Sequence, residues 1–288
     1  MNVLLTGANG QVARELIYTC PDNIKLFAFD KNALDITNQI SVKEAFEKYK
    51  PDVLINAAAY TSVERAEIEQ DLAYKINKEG ISNLAIECAS SKTKLIHYST
   101  DYIFDGKKTS PYSILDKTSP LNVYGKSKLE GEEEALKLNP NKTLIIRTSW
   151  IYSKHGNNFV KTMLRLMDVG NNLEVIADQT GTPTWARSIA KATWKFIKEP
   201  EANGIFHFCD SGSTSWFEFA KSIQESALKY KIIDSPAKLI PIKSVEYKSK
   251  VERPSYSILD CKKTWELINV KPENWRVNLN NMIKDYIL

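Results

Sequence analysis

Short runs of aliphatic and β-branched residues alternate with longer amphipathic stretches through the first half of the chain. Val3–Thr6, Lys25–Phe29, Val53–Asn56, Leu95–Ser99 and Thr143–Thr148 read as strands. Gln11–Cys20, Val42–Tyr49, Ala73–Ser90 and Leu121–Leu138 read as the helices between them. In Ala73–Ser90 the apolar residues Ile76, Ile81, Leu84, Ala85 and Cys88 recur at helical spacing. Nearly continuous apolar strands separated by helices predict an α/β fold, a doubly wound parallel sheet covered on both faces. After about residue 150 the rhythm loosens. Helices are expected at Phe159–Met167, Ala186–Lys198, Trp216–Lys229 and Asn278–Ile287, with prolines at Pro236, Pro241 and Pro254 between them. Residues 1–150 are therefore expected to form a Rossmann-like domain. Residues 151–288 should form mainly a smaller C-terminal lobe that interleaves with the first.

Composition narrows the class. The 288 residues are 43% hydrophobic and 26% charged, which rules out wholesale disorder. The 39 basic residues against 35 acidic ones give a formal charge of +4, too weak to argue for nucleic acid or an anionic membrane as partner. The start Met1-Asn2-Val3-Leu4-Leu5-Thr6 has no signal-peptide pattern, and no apolar run reaches a membrane span of roughly 18 residues. A cytoplasmic protein is expected. Cys20, Cys88, Cys209 and Cys261 form no C-x-x-C pair, so ordinary reduced thiols are expected.

The first strand-to-helix turn reads Thr6-Gly7-Ala8-Asn9-Gly10-Gln11-Val12-Ala13. A glycine pattern in that context is a dinucleotide fingerprint. Gly7 allows the tight turn, Gly10 lets the backbone approach a pyrophosphate, and Ala13 is small where helix meets strand. The helix start, from Asn9 through Val12, then offers free N–H groups to phosphate. Asp30 ends the second strand, where an acid accepts hydrogen bonds from the adenosine ribose. Lys31 follows and suits a 2′-phosphate, so NADH and NADPH remain equally open. Asp35 and Ile36 are placed to flank an adenine, and Ala57-Ala58-Ala59 to let the backbone approach the cofactor.

Two Tyr-x-x-x-Lys pairs occur, Tyr74/Lys78 and Tyr124/Lys128. Such a pair puts a phenol and an ammonium on adjacent turns of one helix face. That suits carbonyl reduction, where a proton donor must stand beside a hydride donor. Position favours Tyr124/Lys128, which follows the fourth strand, whose end supplies the Thr100 hydroxyl. Tyr74/Lys78 reads as helix surface.

The chain at this point resembles the extended short-chain dehydrogenase/reductases. Within them it is similar, over essentially its whole length, to the dTDP-4-dehydrorhamnose reductase family. The segments that carry the likeness include Asn56-Ala57-Ala58-Ala59-Tyr60-Thr61, His97-Tyr98-Ser99-Thr100-Asp101-Tyr102 and Pro120-Leu121-Asn122-Val123-Tyr124-Gly125-Lys126-Ser127-Lys128. Further on they include Arg147-Thr148-Ser149-Trp150, Gly156-Asn157-Asn158-Phe159 and Asp178-Gln179. The resemblance implies reduction by NADPH or NADH of the 4-keto group of dTDP-4-dehydro-6-deoxy-L-mannose to dTDP-L-rhamnose, for cell-surface polysaccharide. It implies Tyr124 as proton donor, with Lys128 holding the nicotinamide ribose and lowering the Tyr124 pKa. It puts Thr100, Asp101, Trp150, Asn157, Asn158, Lys161, Trp216 and Arg253 at the nucleotide-sugar.

Some members of the family join Glu15 to acids near residue 185 in a magnesium-bridged dimer. Here Arg187 stands in that stretch, and a cation cannot ligate magnesium, so no metal is expected. Glu15 is then expected to be a surface acid, alone or paired with a base, in a monomer or homodimer. The alternatives are another nucleotide-sugar 4-ketoreductase or an epimerase. A third is a non-catalytic NADP-binding regulatory subunit of the methionine adenosyltransferase type. A 4,6-dehydratase fits poorly, because Tyr102 stands where Thr-Asp-Glu would supply a base.

Overall fold

The computed structural model describes residues 1–169, 172–249 and 251–287. Five strands fall where the hydrophobic runs put them: β1 (Asn2–Thr6), β2 (Lys25–Phe29), β3 (Val53–Asn56), β4 (Lys94–Thr100) and β5 (Thr143–Thr148). They join a sixth, Gly204–His207, in one parallel sheet of spatial order β2, β1, β3, β4, β5, Gly204–His207. The sixth strand opens on Gly204 and ends on His207, leaving only two apolar residues, so its run escapes a sequence reading. It also means that the chain returns from its second half to complete the first sheet.

The sheet is buried on both faces. One face packs Val3, Leu5, Ile55 and Ile146 against the helices Gln11–Tyr18 and Ala186–Phe196. The other packs Leu4, Leu54, Leu95 and Ile145 against Gln39–Tyr49 and Gly80–Ser91. That two-sided burial explains why these strands read as continuous apolar runs. A separate core joins Phe159–Asp168, Trp216–Lys229 and Trp275–Tyr286 around Met163, Phe219, Trp275 and Met282. Leu173–Ile176 and Leu239–Ile242 pair in parallel beside it. Among the described residues no helix is long and apolar enough to cross a membrane.

Caps set several helix boundaries. The Asn122 side chain accepts from the Gly125 N–H at 2.9 Å, so the helix expected from Leu121 begins at Val123. Asn274 caps the last helix, which starts at Trp275 rather than Asn278. The long helix expected over Ala73–Ser90 is not continuous. It breaks into Gln70–Tyr74, a π-helical turn Lys75–Glu79, and Gly80–Ser91. The extra residue turns Asn77 inward, where its side chain holds the Tyr60 backbone and the Ser127 hydroxyl. Such a bulge inside a helix is frequent near functional sites.

Candidate active site

The sheet order reverses between β1 and β3, and ligands of such sheets bind beyond the strand ends at that crevice. A cavity of about 260 Å³ opens there, lined by Gly7, Asn9, Gly10, Asp30, Asp35, Ile36 and Ala57–Ala59. Gly7 sits at φ +71°, and a Cβ on it would lie 2.6 Å from the Ala58 nitrogen. Only glycine lets the two turns approach so closely. Gly10 begins the Gln11–Tyr18 helix with no side-chain cap, leaving first-turn N–H groups for an anion. This is a cradle that fits a dinucleotide.

Asp30 lies at the edge of the cavity, one carboxylate oxygen accepting from the backbone of Asn32 and Ala33, the other from the Asn9 amide at 3.1 Å. Gln11 and Val12 were expected here through their backbone N–H groups, and their side chains point elsewhere. Val12 is buried in the sheet-facing core. Gln11 accepts from the Asn158 amide at 2.8 Å and so ties the glycine turn to the second lobe.

The Val123–Leu138 helix carries Tyr124 and Lys128. Tyr124 is half-buried, and the Thr100 hydroxyl at the end of β4 faces its phenol. Burial pushes the phenol up to about 12, against a smaller downward pull from Thr100, so Tyr124 is held protonated. Lys128 is fully buried, its Nζ 2.7 Å from the Tyr98 carbonyl and 3.0 Å from His97 Nε2. Burial drops its amine to about 7, with Glu132 one turn on pulling the other way. Glu132 is itself matched by Arg147, Nη2 to Oε2 at 2.6 Å, both buried. Tyr74 and Lys78 face Glu130 on the neighbouring helix, Lys78 at 2.7 Å, as a surface pair would.

A larger cleft of about 630 Å³ lies between the sheet ends and the second lobe, and is lined by Tyr102, Asn158, Phe159, Trp216 and Arg253 among others. Arg253 pairs with Glu64 at its rim. Trp216 stacks on Trp150 with ring centroids 3.5 Å apart and 7° between planes. Trp150 takes φ +45°, costly for a non-glycine residue, and its other face lies on Gly181, where a Cβ would come within 2.4 Å of the indole. Trp150 thus buttresses the cleft wall that Trp216 forms. Asp101 is buried behind Thr100, which donates to it at 3.1 Å, and burial pushes its carboxyl up to about 6.

Two expected substrate residues are not brought to the cleft. Asn157 is exposed on the loop before it. The Lys161 ammonium lies over the Tyr286 ring, 6.0 Å from its centroid. Asn158 reaches the cleft but also caps its helix at the Lys161 N–H. The expectation of a surface Glu15 is corrected as well. Glu15 is fully buried, with Arg187 Nε at 2.7 Å and Ser153 Oγ at 3.1 Å, while Arg187 also reaches Asp285 at 2.7 Å. The pairing with a base holds, but it is internal. Residues the sequence reading passed over are His97, Asn56 and Asn77. A histidine and an asparagine inside otherwise apolar strands were the available signal.

A glycine turn at the switch point of a parallel sheet, with a Tyr–Lys pair on one helix face beside it, defines an NAD(P)-dependent oxidoreductase of the short-chain dehydrogenase type. The sequence matches the family profile of the RmlD substrate binding domain over residues 1–288, and the chain belongs to that family. It is 40% identical to the dTDP-4-dehydrorhamnose reductase of Aggregatibacter actinomycetemcomitans, over 97% of each chain. The solved dTDP-4-dehydrorhamnose reductase of Clostridium acetobutylicum superposes with a TM-score of 0.93 at 39% identity over the full length of both. That of Bacillus anthracis, solved in complex with NADP, gives 0.92 at 37% identity over 99% of each chain.

Proposed function

We infer that this protein reduces the 4-keto group of dTDP-4-dehydro-6-deoxy-L-mannose with NADPH or NADH, giving dTDP-L-rhamnose for polysaccharide synthesis. The observation that carries this reading is Tyr124 facing Thr100 at the end of β4, one helical turn before the buried Lys128, in a sheet whose switch point holds a dinucleotide cradle.

Gly7, Gly10 and the uncapped helix start would hold the pyrophosphate, Asp30 the adenosine ribose, and Lys128 the nicotinamide ribose. When bound, the nicotinamide supplies the hydride. Thr100 would turn its one hydroxyl hydrogen from Asp101 to the substrate oxygen and orient it. Tyr124 gives its proton to the alkoxide as charge develops there. Trp216, backed by Trp150, offers a flat wall for a base or sugar face, and Arg253 a cation for the diphosphate. Lys161 and Asn157 are left out of this assignment. The reading places the enzyme in the cytoplasm, as a monomer or homodimer.

The test is NADPH oxidation followed at 340 nm against a panel of nucleotide-linked 4-keto sugars. The dTDP-4-keto-6-deoxy sugar should give the highest kcat/KM. Turnover with none of the panel, together with tight NADPH binding, would instead support the non-catalytic regulatory reading.

A further inference from the structure

Behind the reacting pair runs a buried hydrogen-bonded chain: Lys128 Nζ to His97 Nε2 at 3.0 Å, His97 Nδ1 to Asn56 Nδ2 at 2.9 Å, and Asn56 Oδ1 to Thr6 Oγ1 at 2.5 Å. Lys128, His97, Asn56 and Thr6 are each 2% exposed or less. Which atom donates at each link follows from the backbone. The Ala58 N–H lies 3.2 Å from Asn56 Oδ1, and an N–H can only donate, so that atom is the amide oxygen. The other end of the amide faces the Ala58 carbonyl at 3.3 Å, which can only accept. Asn56 Nδ2 is therefore a donor, and His97 Nδ1 must accept from it.

A histidine that accepts at Nδ1 cannot be an imidazolium. As a neutral ring it carries its proton on Nε2. That proton faces Lys128 Nζ, and an ammonium has no lone pair to receive it. The Lys128 nitrogen meets both neighbours only as an amine: two of its hydrogens remain for donation, one used on the Tyr98 carbonyl at 2.7 Å, and its lone pair accepts from His97.

We propose that His97 is a positioning residue for Lys128: locked as the Nε2–H tautomer by Asn56, it donates to the lysine amine and holds Lys128 uncharged in the free protein on the alkaline side of neutrality. The titratable groups around Lys128 are compatible. On its own helix are Tyr124, held protonated, and Glu132, whose charge is matched by Arg147 on β5. On β4 is His97, which burial above all holds well below its ordinary value, so the ring is neutral. Burial acts on Lys128 in the same direction. The consequence for the reaction is that no fixed cation acidifies Tyr124 before the site is loaded, so the phenol arrives with its proton in place.

The inference rests on Tyr124 and Lys128 being the reacting pair, but its test needs no substrate and so fails separately from the functional reading. In the full chain, free of cofactor, 15N NMR of the imidazoles should show His97 neutral from pH 6 to 8, with Nε2 pyrrole-like and Nδ1 pyridine-like. A proton on Nδ1, or an imidazolium in that range, overturns the proposal. With 13C-labelled lysine, the Lys128 side chain should titrate near neutrality rather than near 10. In His97→Phe, which keeps a ring and removes the donor, that titration should rise by about one pH unit or more. A Lys128 titration that stays near 10 in the wild type, or does not move in His97→Phe, also overturns it. The wild-type spectra decide the question even if the variant does not fold.

Discussion

Arg187 is the residue whose removal the structure makes most quantifiable. Its guanidinium joins three helices: Nε lies 2.7 Å from Glu15 on Gln11–Tyr18, Nη2 lies 2.7 Å from Asp285 on Trp275–Tyr286, and Arg187 itself is on Ala186–Phe196. The two ends of this triad differ. Glu15 has no exposed surface, whereas the Asp285 side chain is 19% exposed and has Lys154 at 3.1 Å as a second cation. Arg187→Met keeps the apolar stem and removes the charge. Asp285 then falls back on Lys154 and water, while Glu15 is left as a buried carboxylate with only the Ser153 hydroxyl at 3.1 Å.

Removing one partner of a buried pair costs about 3–5 kcal/mol, mostly as the uncompensated charge left behind. Because Arg187 itself keeps 10% exposure, we expect the lower end, about 3 kcal/mol. For a chain of this size that lowers Tm by roughly 6–12 °C and moves the urea midpoint with m unchanged. Glu15→Gln/Arg187→Met should recover about 1–3 kcal/mol of the loss, since a neutral amide is cheaper to bury than a carboxylate. Added magnesium should leave the wild-type midpoint where it is, because Arg187 and Ser153 occupy the Glu15 carboxylate. A loss below about 1 kcal/mol in the single variant, or no recovery in the double, would refute the reasoning.

Three further outcomes are expected. Tyr124→Phe removes only the acid and should lower kcat by about 10²–10⁴ with little change in cofactor affinity, while Tyr74→Phe stays near wild type; steady-state NADPH oxidation reads both. Asp30→Ala should shift the NADPH/NADH ratio of kcat/KM toward NADPH, because the carboxylate that bonds a free 2′-hydroxyl is gone; an unmoved ratio would place Asp30 away from the ribose. The third concerns pH. Asp101 has its carboxyl raised by burial from 3.8 to about 6, so the folded state holds a proton that the unfolded state releases. Its contribution to stability is fully present below pH 4 and is lost as pH rises through 6, by up to about 3 kcal/mol. Asp101→Asn removes that loss, so its stability relative to wild type should improve between pH 4 and pH 8; urea unfolding at the two values that shows no such gain would count against a buried, raised Asp101.

The sheet was readable because its strands are buried on both faces, which forces near-continuous apolar runs such as Leu4-Leu5 and Leu54-Ile55. The glycine turn was readable because Gly7 needs φ +71°, which few other residues accept. What could not be read depended on distant partners. Gly204–His207 becomes a strand only because β5 offers it an edge. Asn77 turns inward through a π turn that keeps the apolar periodicity nearly intact, so the pattern reads as one unbroken helix. Lys161 looked available because its charge sits one turn into a helix beside the cleft, but its ammonium lies over the ring of Tyr286, 125 residues on. Glu15 looked like surface for the same reason: nothing in the first helix announces Arg187.

The same fold also appears in solved proteins of other names, including an epimerase and a 4,6-dehydratase at 16% and 14% identity. What separates the chemistries must lie in the groups beside the pair. Elimination needs a base able to take a proton from carbon. The residue after Thr100-Asp101 that would supply it is a phenol here, and the Tyr102 ring stands edge-on to Tyr124 with centroids 5.7 Å apart. Burial first, and then the nearby Asp101, hold Tyr102 above its ordinary value, so it stays protonated and cannot act as that base. Asp101 does not substitute for it, because it is turned behind Thr100 and buried there rather than facing the cleft. The site therefore holds proton donors on the side where Tyr124 acts. Donors can stabilise and protonate an alkoxide but cannot open an elimination, and this is the chemical ground for setting the site apart from that of a 4,6-dehydratase, whereas the case against an epimerase rests on the likeness of the C-terminal half.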